Sequence, residues 1–153
     1  MLYHSLADSY IEYGISSYGR TYNTYLNQIY NLQIKILKNI VTNNIQHQFY
    51  NNDKGLFSHC KILPVHTKAQ LAILKEHFFN DELKRKIDHP VNTRAMARNR
   101  LQTTSAKNTY GERTAEYIVP RLINKLPIEL INKITPMNYK TKLKSYFIEN
   151  MHA

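Results

Sequence analysis

The sequence predicts a mainly α-helical protein, and three observations carry that prediction. Apolar residues recur at spacings of three and four along much of the 153-residue chain, the period of a helix with one buried face. Helix-start signals stand at Pro64 and at Thr135–Pro136. The apolar fraction, 42%, is that of a globular chain, and the length is enough to bury a core without metal or disulfide support.

In chain order, Leu2, Leu6, Tyr10 and Tyr13 form a helical stripe with Ile11 beside them. Gly14 weakens that helix and Gly19 can take the positive φ of a cap, so its end is expected within residues 14–19. A second helix is expected over about Thr24–Val41, with Leu26, Ile29, Tyr30, Gln33, Ile36, Leu37 and Ile40 on one face. The short connection makes the pair an antiparallel hairpin. The asparagine-rich residues 43–55 read as an exposed loop with at most one helical turn.

A third helix follows over about Pro64–Asn80, carrying Val65, Ala69, Ala72 or Ile73, and then Leu74 and Phe78 at helical spacing. The charged run at 81–90 could extend it until Pro90 ends it. Residues 94–109 show no sustained period and read mostly as loop. In residues 111–120, GERTAEYIVP, Tyr117 and Val119 alternate with Glu116 and Ile118, and Val119 precedes a proline, so extended structure is favoured over helix. Pro120 then opens a short helix with Leu122, Ile123 and Leu126 apolar, and Pro127 opens another with Ile128, Leu130 and Ile131. In the last helix Thr135 serves as N-cap and Pro136 as the first residue. Tyr139, Leu143 and Phe147 recur there at intervals of four, flanked by Tyr146, with Lys140, Lys142 and Lys144 on other faces. The expected architecture is a helical hairpin plus third helix, a basic loop with a short extended piece, and short C-terminal helices ending in a longer one. It divides into residues 1–86 and 87–153, or forms one compact unit.

The formal charge of +10 favours a polyanionic partner, because lysines and arginines that neutralise phosphates release condensed counterions. Nucleic acid is the commonest such partner, and an anionic membrane surface or an acidic protein satisfies the same arithmetic. Cys60 is the only cysteine, which excludes an internal disulfide and suits a reducing compartment. The first residues do not form a signal peptide, and no run approaches the roughly 18 apolar residues of a membrane span. A soluble, intracellular protein, cytoplasmic or nuclear, is expected.

Catalytic and metal chemistry find little support. His47, His59, Cys60 and His66 lack the spacing of a structural zinc module, and Cys60 with His66 lacks an orienting third group or an oxyanion turn. Asp81 and Glu82 are adjacent carboxylates on an expected helix, which is ordinarily surface charge. The twelve tyrosines could stack bases. However, Tyr10, Tyr13, Tyr30, Tyr139 and Tyr146 lie at helical spacing beside Leu and Ile, and packing is the expected role.

Several segments together resemble the reverse transcriptases of non-long-terminal-repeat (LINE-like, jockey-type) retrotransposons, in the region after the polymerase core. SYIEYGISSYG at Ser9 to Gly19 is similar to that family's "S-hydrophobic-x-YG-I-x-x-WG" helix end. LQIKILKNI at Leu32 to Ile40 resembles its "LQ-x-R-x-hydrophobic-R" helix, with Lys35 and Lys38 at the basic positions. CKILPVHTKAQLAIL resembles "L-x-I-L-P-hydrophobic". Asn92 to Arg94 resembles "NTR", and YGERTAEYIVPRLINKLP at Tyr110 to Pro127 resembles "YG-x-R-S-x-x-Y-x-x-P-x-LWN-x-LP". YKTKLKSYFIEN is similar to the closing "FK-x-x-L-K-x-Y" helix. The motifs follow in the family's order over nearly the whole chain. Tyr18 and Ile123 stand where the family carries Trp, and both keep an apolar body.

The resemblance implies a thumb-like helical region at 1–86 and a C-terminal region at 87–153. It also implies a role in gripping RNA, DNA or an RNA–DNA hybrid through Lys35, Lys38, Arg94, Arg98, Arg100, Lys107, Arg113, Lys140 and Lys144. The palm of a parent polymerase is a further implied partner; no membrane or small-molecule substrate is expected. The family's paired catalytic aspartates have no counterpart here, since Asp8, Asp53, Asp81 and Asp88 are scattered. No activity and no cofactor are therefore expected of this chain, Mg²⁺ belonging to the family's palm. The alternative expectation is a helical protein-interaction remnant with no nucleic-acid role.

Overall fold

The computed structural model describes residues 3–41, 49, 52–84 and 100–150. Among the described residues the fold is mainly helical, with seven α-helices and no β-sheet. They are α1 (Ser9–Tyr18), α2 (Asn23–Ile40), α3 (Asp53–His59), α4 (Val65–His77), α5 (Ala115–Lys125), α6 (Ile128–Lys133) and α7 (Tyr139–Glu149). A π-helical turn, His4–Asp8, leads into α1, and 3-10 turns lie at Asp81–Leu83 and Gly111–Arg113. The chain divides into two compact units, Met1–Ala72 with Thr141–Ala153, and Ile73–Lys140.

In the first unit, Ile11 and Ile15 of α1 meet Leu26 of α2 and Val65 and Ala69 of α4 in one cluster. A second cluster joins Tyr3, Ile34, Leu37, Leu56, Phe57 and Ile62. The stripe expected at the N-terminus is not the buried one. Leu6, Tyr10 and Tyr13 are 63%, 78% and 91% exposed, so the packing expected of both tyrosines is corrected; the β-branched Ile11 and Ile15 carry the core face instead. Gly19 closes α1 with φ −64° rather than a positive φ, and a Cβ there would lie 3.2 Å from the Ala69 side chain, so the glycine serves a close approach. Gly14 sits inside α1 because the Tyr18 ring folds back over it, letting the Tyr18 hydroxyl donate to the Ile11 carbonyl at 2.9 Å.

Gln33 is the polar centre of this unit. It is fully buried, its Oε1 accepts from the Val65 N–H at 2.8 Å, and its Nε2 donates to the Tyr3 hydroxyl at 2.6 Å. The first of these bonds satisfies a donor at the start of α4, one that no residue of the helix itself can satisfy. Two segments quoted above, LQIKILKNI and CKILPVH, are thus joined through one side chain. Lys68 of α4, also buried, pairs with Asp8 and lies 3.6 Å from Glu12, tying α4 to the N-terminal turns.

The loop expected at 43–55 is corrected at its end: Asn52 caps α3 by accepting from the Gly55 N–H at 2.9 Å, and Leu56 and Phe57 are buried. Residues 42–48 and 50–51, with His47, lie outside the described residues. The end of α3 carries no glycine. Lys61 takes φ 53°, and the Ile62 N–H donates back to the Phe57 carbonyl at 3.0 Å, a left-handed cap formed by lysine.

In the second unit α4 ends at His77, and the chain makes the Asp81–Leu83 turn, capped by the Asn80 side chain, rather than extending the helix; residues 85–99 lie outside the described residues. The extended piece expected at 111–120 is a helix. Pro120 lies inside α5, and the preference of its predecessor Val119 for extended backbone is overridden by burial of Val119, Leu122, Ile123 and Leu126 at spacings of three, one and three. The carbonyl that Pro120 cannot satisfy, that of Glu116, accepts from the Thr104 hydroxyl at 3.4 Å. The terminal helix also starts later than expected. Thr135–Pro136 forms a turn in which the Thr135 N–H donates to the Asn138 side chain at 2.8 Å, and α7 begins at Tyr139.

Candidate nucleic-acid interface

The segment 100–104 is strapped along α5 in the second unit. Asn124 uses both ends of its amide on Leu101, accepting from its N–H at 2.8 Å and donating to its carbonyl at 2.9 Å, the pairing a neighbouring strand would supply. Arg121 Nη2 donates to the Thr104 carbonyl at 2.9 Å, and the Thr104 hydroxyl returns to Glu116. Because one turn of helix separates them, Arg121 and Lys125 project from the same side of α5.

The result is an open groove of about 860 Å³ in which Arg100, Arg121 and Lys125 are joined by Gln102, Thr103 and Asn124. No carboxylate lines it among the described residues. Three like charges with no carboxylate among the described lining residues leave a local positive potential, and neutral amide and hydroxyl groups between them offer further hydrogen bonds to phosphate oxygen. Arg121 is held in place before any ligand arrives. Its guanidinium carbon lies 3.9 Å from the Tyr117 ring centroid, one Nη is spent on Thr104, and its buried Nε has no acceptor among the described residues. Gln102 also lines a second groove, of about 630 Å³, where Asp81, Glu82 and Glu116 gather, so the strap separates a cationic side from an acidic one.

Of the predicted contact residues that are described, Arg100 alone enters the cationic groove. Lys107 is exposed on the same unit, and Arg113 is half-buried with its guanidinium carbon 5.2 Å from the Tyr110 ring centroid. Lys35 is exposed on α2, whereas Lys38 pairs with Asp53 at 3.3 Å and so helps hold α3 to α2. Lys140 and Lys144 are exposed on α7, the first with its ammonium 5.7 Å from the Tyr139 ring centroid. Arg94 and Arg98 lie outside the described residues. Arg121 and Lys125 were not among the predicted contacts; their spacing of four on the helix expected from Pro120 onward was the available signal.

The other titratable groups have structural surroundings. Burial pushes the Cys60 thiol pKa up, away from thiolate reactivity, and pushes that of His66 down, with His66 Nε2 2.9 Å from the Asn27 side-chain oxygen. Burial also lowers the pKa of Lys84, against the opposing effect of Asp81. Among the described residues no three His, Cys, Asp or Glu side chains gather as a metal-holding group, and no helix is long and apolar enough to cross a membrane. Set against protein-family models, curated proteins and solved structures, the chain finds no match in any of the three.

Proposed function

We propose that this chain is the thumb and post-thumb portion of a non-long-terminal-repeat retrotransposon reverse transcriptase, and that it holds template–primer nucleic acid by its phosphates. The observation that carries the reading is the groove of Arg100, Arg121 and Lys125, which no carboxylate lines among the described residues, on a chain of formal charge +10. The motif resemblance supplies the parent activity, RNA-directed DNA polymerisation. No bond-making step is assigned to this chain, and Mg²⁺ would be held by the parent's palm. Motif residues have structural work that fits the reading: Gln33 fastens the start of α4, Asn124 fastens the strap, and Ile123, at a Trp position of the family, is buried in α5.

Binding of an RNA–DNA hybrid, followed by fluorescence anisotropy at several salt concentrations, tests the proposal. Affinity should fall with a log–log slope of about −0.7 to −0.9 per neutralised phosphate. The double substitution Arg121→Ala with Lys125→Ala should make that slope shallower by about 1 to 2. Binding that is insensitive to salt, or none, refutes it. A second reading, a helical lobe that docks another protein, is favoured by the exposed stripe of Leu6, Tyr10 and Tyr13. Such an interface would show little salt dependence.

A further inference from the structure

The cationic groove does not end at its charges. Arg100, Leu101 and Asn124 line it on one side and on the other line an apolar pocket of about 520 Å³, walled by Phe79, Ile123, Ile128 and Ile131. The geometry points to a single-stranded nucleic-acid segment as the ligand of this composite site, its phosphates along Arg100, Arg121 and Lys125 and one unstacked base in the apolar pocket. This rests on the phosphate-binding reading above and adds to it a requirement for a base.

The chemistry selects the ligand. A ligand for the two compartments together needs an anionic backbone and a flat, weakly polar body within a few ångströms of it, which is the make-up of a nucleotide. The pocket is in the size range that small ligands occupy. Phe79 is 42% exposed and Ile128 49% exposed, so both present apolar surface. A cation also stands at the pocket, since Lys84 Nζ is 5.0 Å from the Phe78 ring centroid and 5.2 Å from that of Phe79. A base within a duplex is stacked on both faces and cannot enter such a pocket without unpairing; a base in a single strand gives up little to do so. An acidic peptide would also meet the charges, but the neutral hydrogen-bonding groups between the cations suit a continuous row of phosphates.

The test compares oligothymidylate with an abasic oligomer of equal phosphate number, by anisotropy with the full chain at two salt concentrations. Oligothymidylate should bind about five-fold tighter or better, at equal salt slope because the phosphates are equal. Phe79→Ala and Ile128→Ser should each shrink that gap toward two-fold while leaving abasic affinity unchanged; Ile128, on the exposed side of α6, keeps the test meaningful if the Phe79 variant folds poorly. Equal affinity for the two oligomers would leave the pocket to a protein segment and overturn the inference while salt-dependent abasic binding kept the phosphate reading. A gap that survives in both variants, or a duplex bound as tightly as the single strand, also overturns it. Loss of all salt-dependent binding overturns both.

Discussion

Replacing Gln33 by Leu should cost the fold about 2–3 kcal/mol, a large share of the stability of an ordinary domain. Leucine has nearly the same bulk, so the substitution removes hydrogen bonds without opening a cavity. Gln33 and Val65 are both 0% exposed. With the carboxamide gone, the Val65 N–H has no water to turn to, and a stranded buried donor costs about 1–3 kcal/mol. Tyr3, 3% exposed, loses the 2.6 Å partner of its hydroxyl, which adds about 1 kcal/mol; the apolar gain of leucine offsets part of the total. Urea unfolding with an unchanged m-value is the measurement. In a Tyr3→Phe background the same substitution should cost about 1 kcal/mol less, because the bond to the Tyr3 hydroxyl is already absent. A Gln33→Leu protein within about 0.5 kcal/mol of the parent would show that the carboxamide does not hold the Val65 N–H in a dry site, and the account of how α2 fixes α4 would fall.

Three further outcomes follow from the same geometry. Burial, outweighing the Gln33 bond, raises the Tyr3 pKa from 10.0 to about 12; the folded state prefers the neutral phenol, so its contribution is intact below pH 10 and is lost as pH rises toward 12. It amounts to roughly 2–3 kcal/mol. The difference between parent and Tyr3→Phe stability, measured from pH 9 upward, should show that loss. Gly14→Ala, which ordinarily stabilises a helix by about 1 kcal/mol, should destabilise this one by a similar amount, because the new methyl would lie 2.3 Å from the Tyr18 ring. Adding Tyr18→Ala should relieve the clash, as a thermal melt of the pair would report. Asn124→Ala should cost about 1–2 kcal/mol and raise amide exchange at Leu101, whose N–H and carbonyl lose their partners together.

The helices most legible in the sequence were those whose boundaries and burial agree with a single local pattern. For α2, expected over Thr24–Val41 and found over Asn23–Ile40, the 3.6-residue stripe was long enough to average out its exceptions: Ile34 is buried without having been assigned to the core face, and Ile40 is 44% exposed. Short elements gave no such averaging. The seven residues of α3 include Gly55, and its end is set by a left-handed lysine, a conformation that local propensity argues against. At the N-terminus two stripes compete on one helix. Leu6, Tyr10 and Tyr13 match the period as well as Ile11 and Ile15 do, and only the positions of α2 and α4 decide which is covered.

The candidate site had no address in the net charge. Net charge pointed to phosphate, but charge counts weigh every lysine alike, whereas the fold spends Lys38 on Asp53 and Lys68 on Asp8 and Glu12. Arg121 and Lys125 share a groove with Arg100 because the strap is bonded along α5. Proline removes one N–H and biases Val119 toward extended backbone, a local cost that argued for starting the helix only at Pro120. Against it stand four buried side chains, Val119, Leu122, Ile123 and Leu126, each contributing about 1.5–3 kcal/mol when fully buried, with the Thr104 hydroxyl covering the orphaned Glu116 carbonyl. Burial outweighs the local penalty and α5 begins at Ala115, so the Glu116 carbonyl that meets Thr104 belongs to the same helix as Arg121 and Lys125. Thr104 is therefore a link between the site and the helix. It covers the carbonyl that Pro120 leaves open while its own carbonyl holds Arg121 in position, so a change in the strap reaches the groove without touching a cation.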